Sequence, residues 1–179
     1  MPEFPDEFFI VGADLSLNRP GFCVIRYAHG SIKLEKITCV DNKVNSKKTR
    51  GQKLLENVAM LKSLCDEYKP IYFVREASIN NARFGQRSGT AARTGISETV
   101  GVMDLFVWEN SKTEWQEIYP TSIKKCITNN GRATKEDVAK ALPNYVGDVE
   151  YTVDDESDAV AVAVAWLIKN ELIKQIEMK

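Results

Sequence analysis

The hydrophobic pattern is strongest near the start of the chain, where residues 8–13 form an uninterrupted apolar run that ends at Asp14. Such a run predicts a strand that is buried on both faces. The Asn-Arg-Pro-Gly sequence at 18–21 has the composition of a reversal, and a second apolar run at 22–27 predicts the next strand. From Ile32 onward apolar and charged residues mix, which is typical of a third strand nearer the edge of a sheet.

Helical and strand patterns alternate along the rest of the chain. Apolar residues recur at helical spacing over 53–68, and residues 71–74 then predict a short buried strand. A helix over 90–108, a strand over 115–119, a short helix and a helix from Lys135 that Pro143 stops follow in order. Residues 159–168 are apolar on all sides, which predicts a buried helix. The pattern therefore predicts an α/β fold with a three-stranded meander and further strands between helices.

Composition indicates an ordinary globular protein. With 179 residues, 44% apolar and 27% charged, the chain is expected to form one domain over residues 1–179. The N-terminal segment is acidic, and its apolar run is too short for a signal peptide or a membrane span. We therefore expect a cytoplasmic protein with no membrane partner. The scattered cysteines are expected to be reduced and mostly buried, and they are Cys23, Cys39, Cys65 and Cys126.

The net charge of −1 conceals a strongly segregated charge distribution. Residues 43–53 and 122–135 contain basic but no acidic side chains, and residues 75–93 contain four arginines beside the single acid Glu76. Residues 148–158 instead contain six acids. This distribution can create a basic surface beside an acidic pocket, although each basic run can also be a solvated loop. The only histidine, His29, lies in a predicted turn and is expected at the surface.

Four carboxylates occupy positions that can converge. Asp14 ends the first predicted strand, Glu76 ends the fourth, and Asp155 and Asp158 lie one helical turn apart at the start of the last helix. They meet if strands one and four are neighbours. These acids can also have a purely structural explanation. Asp14 can end its strand with its side chain in water, and acids are common in the first turn of a helix.

A cluster of oxygen ligands without histidine or thiolate favours Mg²⁺, with Mn²⁺ as a possible substitute. Two such ions about 3.5–4 Å apart can activate water and stabilise the leaving oxygen in phosphodiester hydrolysis. The pattern therefore indicates a metal-dependent nuclease.

The order and spacing of these motifs resemble the RuvC-type Holliday junction resolvases of the RNase H-like (retroviral integrase) superfamily. The resemblance covers about residues 8–168. The matching segments are Gly-Ala-Asp at 12–14 with the later Gly21, Val-Arg-Glu at 74–76, Tyr-Pro-Thr at 119–121 continuing to Lys124, Gly-Arg-Ala-Thr-Lys at 131–135 and Asp-Glu-Ser-Asp-Ala at 155–159.

This resemblance implies an RNase H-like fold whose five-stranded mixed sheet is flanked by helices. It implies that Asp14, Glu76, Asp155 and Asp158 are metal ligands, with Lys124 and Lys135 near the scissile phosphate. It also implies a homodimer, with the helix after the Glu76 strand forming much of the interface.

The chain departs from cellular RuvC in two places. The usual Asp-Pro-Gly after the first strand is Asp-Leu-Ser at 14–16, and the polar loop at 78–89 offers Phe84 as the only candidate aromatic wedge. In both places the chain is more similar to the RuvC-like branch-cutting endonucleases of lactococcal phages. The predicted DNA-binding residues are basic side chains around this loop and in the basic runs, together with the wedge: Lys47, Lys48, Arg75, Arg83, Phe84, Arg87, Arg93 and Arg132.

The sequence thus predicts a Mg²⁺-dependent endonuclease that cleaves branched DNA as a homodimer in phage DNA metabolism. The alternatives are a strict four-way-junction resolvase, a non-catalytic junction-binding module and an actin-like ATPase domain. The module would lack one of the carboxylates, and the ATPase domain would need a second phosphate-binding hairpin that this chain is too short to contain.

Overall fold

The computed structural model describes residues 4–42, 47–77 and 90–177, which include a five-stranded mixed sheet. Its strands are β1 (Glu7–Asp14), β2 (Gly21–Ala28), β3 (Ser31–Cys39), β4 (Tyr72–Glu76) and β5 (Gln116–Ile118), in the order β3-β2-β1-β4-β5. The first three strands form an antiparallel meander, and β4 lies parallel to β1 and to β5. The predicted mixed sheet is confirmed, and strands one and four are neighbours.

The helices are α1 (Arg50–Tyr68), α2 (Thr90–Ser111), α3 (Pro120–Thr128), α4 (Lys135–Ala141), α5 (Pro143–Val146) and α6 (Asp154–Lys169). Helix α1 begins three residues before the predicted start, because Thr49 and Gln52 form a reciprocal capping box. Helix α4 ends before Pro143 as predicted. Pro143 also starts α5, because a backbone N–H at the first position of a helix has no partner within that helix and proline can therefore occupy it.

The apolar run of β1 is explained by helices on both faces of the sheet. On one face Ile10 packs in a cluster with α6, whose residues 159–167 are all buried. On the other face Val11 and Phe73 pack with Leu61 of α1 and Met103 of α2. Because successive side chains on a strand point to opposite faces, a strand covered on both faces must be apolar at every position.

Two glycines let α6 approach the sheet very closely. A Cβ atom at Gly12 would lie 2.4 Å from the carbonyl oxygen of Ala159, and a Cβ atom at Gly21 would lie 2.0 Å from that of Asp155. No side chain fits at such distances, so both positions require glycine. The first turn of α6 is thereby seated against the end of the β1–β2 pair, beside Asp14.

The cysteines are all free thiols, as expected. Cys23 is fully buried and its Sγ contacts the carbonyl oxygen of Ala159 at 3.3 Å, and burial raises the pKa of its thiol to about 12. Cys39, Cys65 and Cys126 are only partly buried. In the part of the chain that the structure describes, no helix is both long and apolar enough to cross a membrane.

Candidate active site

Asp14 and Glu76 lie side by side at the carboxyl ends of two parallel strands. In the β1–β4 pairing Ala13 is opposite Arg75, so the next residues along each strand emerge at the same edge of the sheet. Side-chain alternation directs Glu76 and Arg75 to opposite faces. Asp14 and Glu76 are therefore neighbours in the structure, as the sequence predicts.

The first two turns of α6 supply the other two predicted carboxylates, Asp155 in the first turn and Asp158 in the second, and both are partly buried. Between them, Glu156 is buried and accepts hydrogen bonds from the backbone N–H (2.8 Å) and the hydroxyl (2.9 Å) of Thr152. Glu156 therefore fixes the start of the helix, while its neighbours are left to face the sheet edge.

Electrostatic coupling joins the carboxylates into one site. Burial, followed by the negative charges of Asp158 and Glu76, raises the pKa of Asp14 to about 7, and Asp155 adds to the effect. The pKa of Glu76 is also raised, first by loss of water around it and then by Asp158. Carboxylates that resist ionisation together create a strong demand for a cation at this edge.

Two lysines border the cluster. Lys135, at the start of α4, is ion-paired with Asp158, and Lys124 of α3 is close enough for its charge to act on Glu76. Burial alone would lower the pKa of Lys135, but its hydrogen bond to Asp158 and the charges of Asp158, Asp14 and Glu76 raise it above the ordinary value. Both predicted lysines therefore lie beside the carboxylates, although their role in cleavage stays a prediction.

The donor chemistry fits a hard divalent cation. Within residues 4–42, 47–77 and 90–177, no three His, Cys, Asp or Glu side chains are already arranged as a metal cage. Repulsion keeps uncompensated carboxylates apart, and Lys135 partly neutralises Asp158. The nearby donors are nevertheless all carboxylate oxygens, which are the ligands that Mg²⁺ and Mn²⁺ prefer.

The structure argues against the predicted DNA contact of Arg75, because its guanidinium is buried and paired within the protein. Its side chain is only 9% exposed and is ion-paired with Asp104 of α2 and with Glu117 of β5, the latter at 2.8 Å. The guanidinium also lies 5.9 Å from the ring centroid of Trp115. Arg75 therefore joins α2 to strands β4 and β5, and its charge is paired within the protein.

The other predicted DNA contacts differ in accessibility. Arg132 and Lys47 are exposed, whereas Lys48 is partly buried and ion-paired with Glu56. Lys48 can therefore reach a phosphate only by giving up that pair. Arg83, Phe84 and Arg87 lie outside the described residues, as does the side chain of Arg93.

Sequence reasoning missed two fully buried asparagines beside the site, Asn42 and Asn57. Asn57 lies on the inner side of α1 with Leu61 and Leu64. A polar residue within an apolar helical stripe was the available signal, because burying an amide is costly unless it is hydrogen-bonded. The side chain of Asn57 is hydrogen-bonded to the loop that follows Asp14.

Comparisons with known proteins agree with this geometry. The sequence profile described as "Crossover junction endodeoxyribonuclease RuvC" matches residues 10–166. The protein of that name from Helicobacter pylori is 31% identical over 159 residues, covering 87% of this chain and 93% of the relative. The one from Brachyspira hyodysenteriae is 28% identical over 167 residues, covering 93% and 98%.

Solved structures show the same fold at lower identity. Thermus thermophilus RuvC in complex with Holliday junction substrate superposes with a TM-score of 0.79 at 16% identity, covering 92% of this chain and 96% of that one. The yeast mitochondrial Holliday junction resolvase Ydc2 gives a TM-score of 0.67 at 12% identity, covering 96% and 82%. Sequence profile, relatives and fold agree over most of the chain, which belongs to the RuvC family of crossover junction endodeoxyribonucleases.

Proposed function

We propose that this protein is a divalent-metal-dependent endonuclease that cleaves Holliday junctions and other branched DNA. The observation that carries the proposal is the meeting of Asp14, Glu76 and Asp158, from β1, β4 and α6, in one electrostatically coupled cluster. Membership of the RuvC family gives this cluster its reaction class. A non-catalytic module is disfavoured, because it would lack one of the four carboxylates and the chain has all of them.

Asp14, Glu76, Asp155 and Asp158 would hold Mg²⁺, or Mn²⁺ in its place. When bound there, such ions supply an activated water and stabilise the leaving oxygen in phosphodiester hydrolysis. The chain's own contribution is to hold the carboxylates on rigid elements around one edge of the sheet. Lys135 and Lys124 add fixed positive charge beside that edge, where it can offset the negative charge that develops on the phosphate.

We expect a broader substrate range than that of a strict four-way-junction resolvase. The segment 78–89 is rich in Asn, Gln, Ser and Gly and contains only Phe84 as an aromatic. Arginine contacts to phosphate position DNA without reading bases. These features, with the Asp-Leu-Ser sequence at 14–16, support cleavage of three-way junctions, forks and flaps. A role in phage DNA recombination, replication or packaging, in the cytoplasm of a bacterial host, is the accompanying proposal.

The active form is proposed to be a homodimer that pairs through α2. Ser97, Gly101, Leu105 and Trp108 are exposed along this helix at spacings of four, four and three residues. Leu105 is 58% exposed and Trp108 is 51% exposed, which is unusual for two large apolar side chains on one stripe. Small residues at one end and large apolar residues at the other suit close packing against a second helix.

The test is single-turnover cleavage of a synthetic four-way junction with and without Mg²⁺. Asp14→Asn, Glu76→Gln and Asp158→Asn should each abolish cleavage while junction binding remains measurable, since removing a carboxylate also removes repulsion toward phosphate. Asp154→Asn is the matched control, because Asp154 is an exposed acid in the same helical turn as Asp155. Loss of junction binding in parallel with activity in all three variants would overturn the assignment.

A further inference from the structure

Asp14 is the last residue of β1 and pairs with Gly21 of β2, so residues 15–20 form the loop that joins these two strands. Leu15 and Ser16 come directly after Asp14, and the first proline in the loop is Pro20. Since a misplacement of about 1 Å at a reacting group can cost on the order of 100-fold in rate, the conformation of this loop bears directly on the carboxylate.

Asn57 of α1 binds this loop through its side chain. Its Nδ2 donates to the carbonyl oxygens of Ser16 at 3.1 Å and of Leu17 at 3.3 Å. Its Oδ1 accepts a hydrogen bond from Nδ2 of Asn42 at 2.9 Å. Asn57 is fully buried, and every polar atom of its side chain has a partner.

Asn42 continues the same network from the segment after β3. Its backbone N–H donates to the carbonyl oxygen of Asn18 at 2.8 Å, and its Nδ2 also lies 3.3 Å from that of Leu17. Lys53 of α1 donates to Oδ1 of Asn18 at 2.7 Å. Three consecutive residues, 16, 17 and 18, are therefore held from outside the loop.

The energetics distinguish this network from ordinary packing. Burying an amide without partners is costly, so an apolar residue would suit the inner side of α1 better unless the loop carbonyls need donors there. The two asparagines therefore specify one conformation of the loop. Besides the hydrogen bond that the N–H of Arg19 donates to Oγ of Ser16 at 2.9 Å within the loop, Asn57 of α1 and Asn42 after β3 restrain the loop backbone from outside.

We propose that Asn57 and Asn42 form a clamp that fixes the direction of Asp14 for catalysis. Both are positioning residues, since neither lies among the site carboxylates, and this inference rests on the proposed nuclease function. A merely structural role would lower stability and leave the chemical step of the folded enzyme intact. A positioning role lowers the cleavage rate of protein that is folded and bound to DNA.

The test compares Asn57→Asp, Asn57→Leu and Lys53→Met with the wild type in three measurements. These are the single-turnover cleavage rate at saturating enzyme, the junction dissociation constant in Ca²⁺, and amide hydrogen exchange over residues 14–19. Asn170→Asp is the control, because Asn170 donates to the carbonyl oxygen of Trp166 at 2.8 Å at the far end of α6. Lys53→Met removes only the hydrogen bond to the side chain of Asn18 at the edge of the network. This variant keeps the test decisive if the variants at the buried position do not fold.

We expect both Asn57 variants to lose at least about tenfold in rate, with the dissociation constant within about threefold of wild type. Exchange should rise over residues 15–19 and stay unchanged in the core of β1, and Lys53→Met should change rate and exchange in the same direction by less. A rate within twofold of wild type, or a rate loss without faster loop exchange, would overturn the clamp. If the wild type itself does not cleave, the proposed function fails, while the exchange data still show whether the loop is clamped.

Discussion

Lys135 donates a hydrogen bond to Oδ2 of Asp158, and this ion pair joins the start of α4 to the second turn of α6. The side chain of Asp158 is only 20% exposed, whereas that of Lys135 is 68% exposed. The lysine therefore neutralises a partly buried carboxylate from the solvent side. A group in that place can turn toward a phosphate when DNA and metal arrive.

Lys135→Ala should lower turnover far more than affinity. A charge placed where negative charge develops in the transition state can contribute roughly 100-fold or more in rate, whereas an exposed lysine adds little to binding. Single-turnover rates and gel-shift dissociation constants on one junction measure the two effects. Lys140→Ala, in the last turn of the same helix, is the control, and equal small losses in rate and affinity for Lys135→Ala would contradict the prediction.

Asp14→Asn should stabilise the metal-free protein at alkaline pH. Because the pKa of Asp14 is raised to about 7 by burial and by its acidic neighbours, the folded chain holds a proton that the unfolded chain releases above about pH 4. The free energy of unfolding therefore falls as the pH rises from about 4 to about 7 and stays at the lower level above that pH. The carboxylate keeps some contact with water, so the gain for Asn at pH 8 should be on the order of 1–3 kcal/mol.

Thermal unfolding in EDTA at pH 5 and pH 8 checks this prediction, since 1 kcal/mol corresponds to about 2–4 °C in a chain of this size. The gain for Asp14→Asn should be larger at pH 8 than at pH 5. Added Mg²⁺ should raise the Tm of the wild type more than that of the variant. A variant that is less stable than the wild type at pH 8 without metal would be inconsistent with the raised pKa.

Arg75→Met should leave junction affinity unchanged. The guanidinium is paired with Asp104 and Glu117, so it is not available to a phosphate. Arg75→Met leaves these two half-exposed acids without their partner, so the variant should be less stable while its affinity for the junction is kept. Arg132→Ala is the comparison, because this exposed arginine should weaken binding and reduce the salt slope of the affinity by about 1. If Arg75→Met lost as much affinity as Arg132→Ala, this result would show that Arg75 contacts DNA.

Leu105→Asp should dissociate the proposed dimer. A charge in the middle of an apolar helix contact removes burial and adds an unpaired group, so the dissociation constant should rise at least about 30-fold. Sedimentation at micromolar concentration distinguishes the 20.1 kDa chain from a dimer. Leu55→Asp on α1 is the control, since Leu55 is also exposed, and a monomeric wild type would exclude pairing through α2.

Three-way, forked and flap substrates should be cut within about tenfold of the four-way rate, which corresponds to only ~1.4 kcal/mol in barrier. Phe84→Ala should reduce four-way cleavage more than fork cleavage, because a wedge matters most where four arms meet. Single-turnover rates measured in Mg²⁺ on matched substrates distinguish a broad substrate range from strict specificity for four-way junctions. A preference of a thousandfold or more for the four-way junction would identify a strict resolvase.

Asp14 and Glu76 could be placed from the sequence because each follows an apolar strand, and parallel neighbours end at the same edge. Arg75 could not be placed in the same way. Its partners come 29 and 42 residues later, and its direction depends on β5, a strand of only three residues. The role of Asn57 depends likewise on a loop about 40 residues earlier. Local patterns predict elements and their ends, whereas pairing between distant polar groups requires the assembled fold.

The backbone contact between the β1–β2 pair and α6 also determines when the site can exist. Cys23 and Ala159, which touch across this contact, are 136 residues apart in sequence. Contacts between segments so distant in sequence slow folding, so we expect this contact to form late. During synthesis Asp14 leaves the ribosome long before Asp155 and Asp158, and the sheet is then still uncovered on that face. We expect a chain that ends before α6 to hold two of the four proposed metal ligands and not to cleave DNA, so that activity depends on synthesis of the last helix.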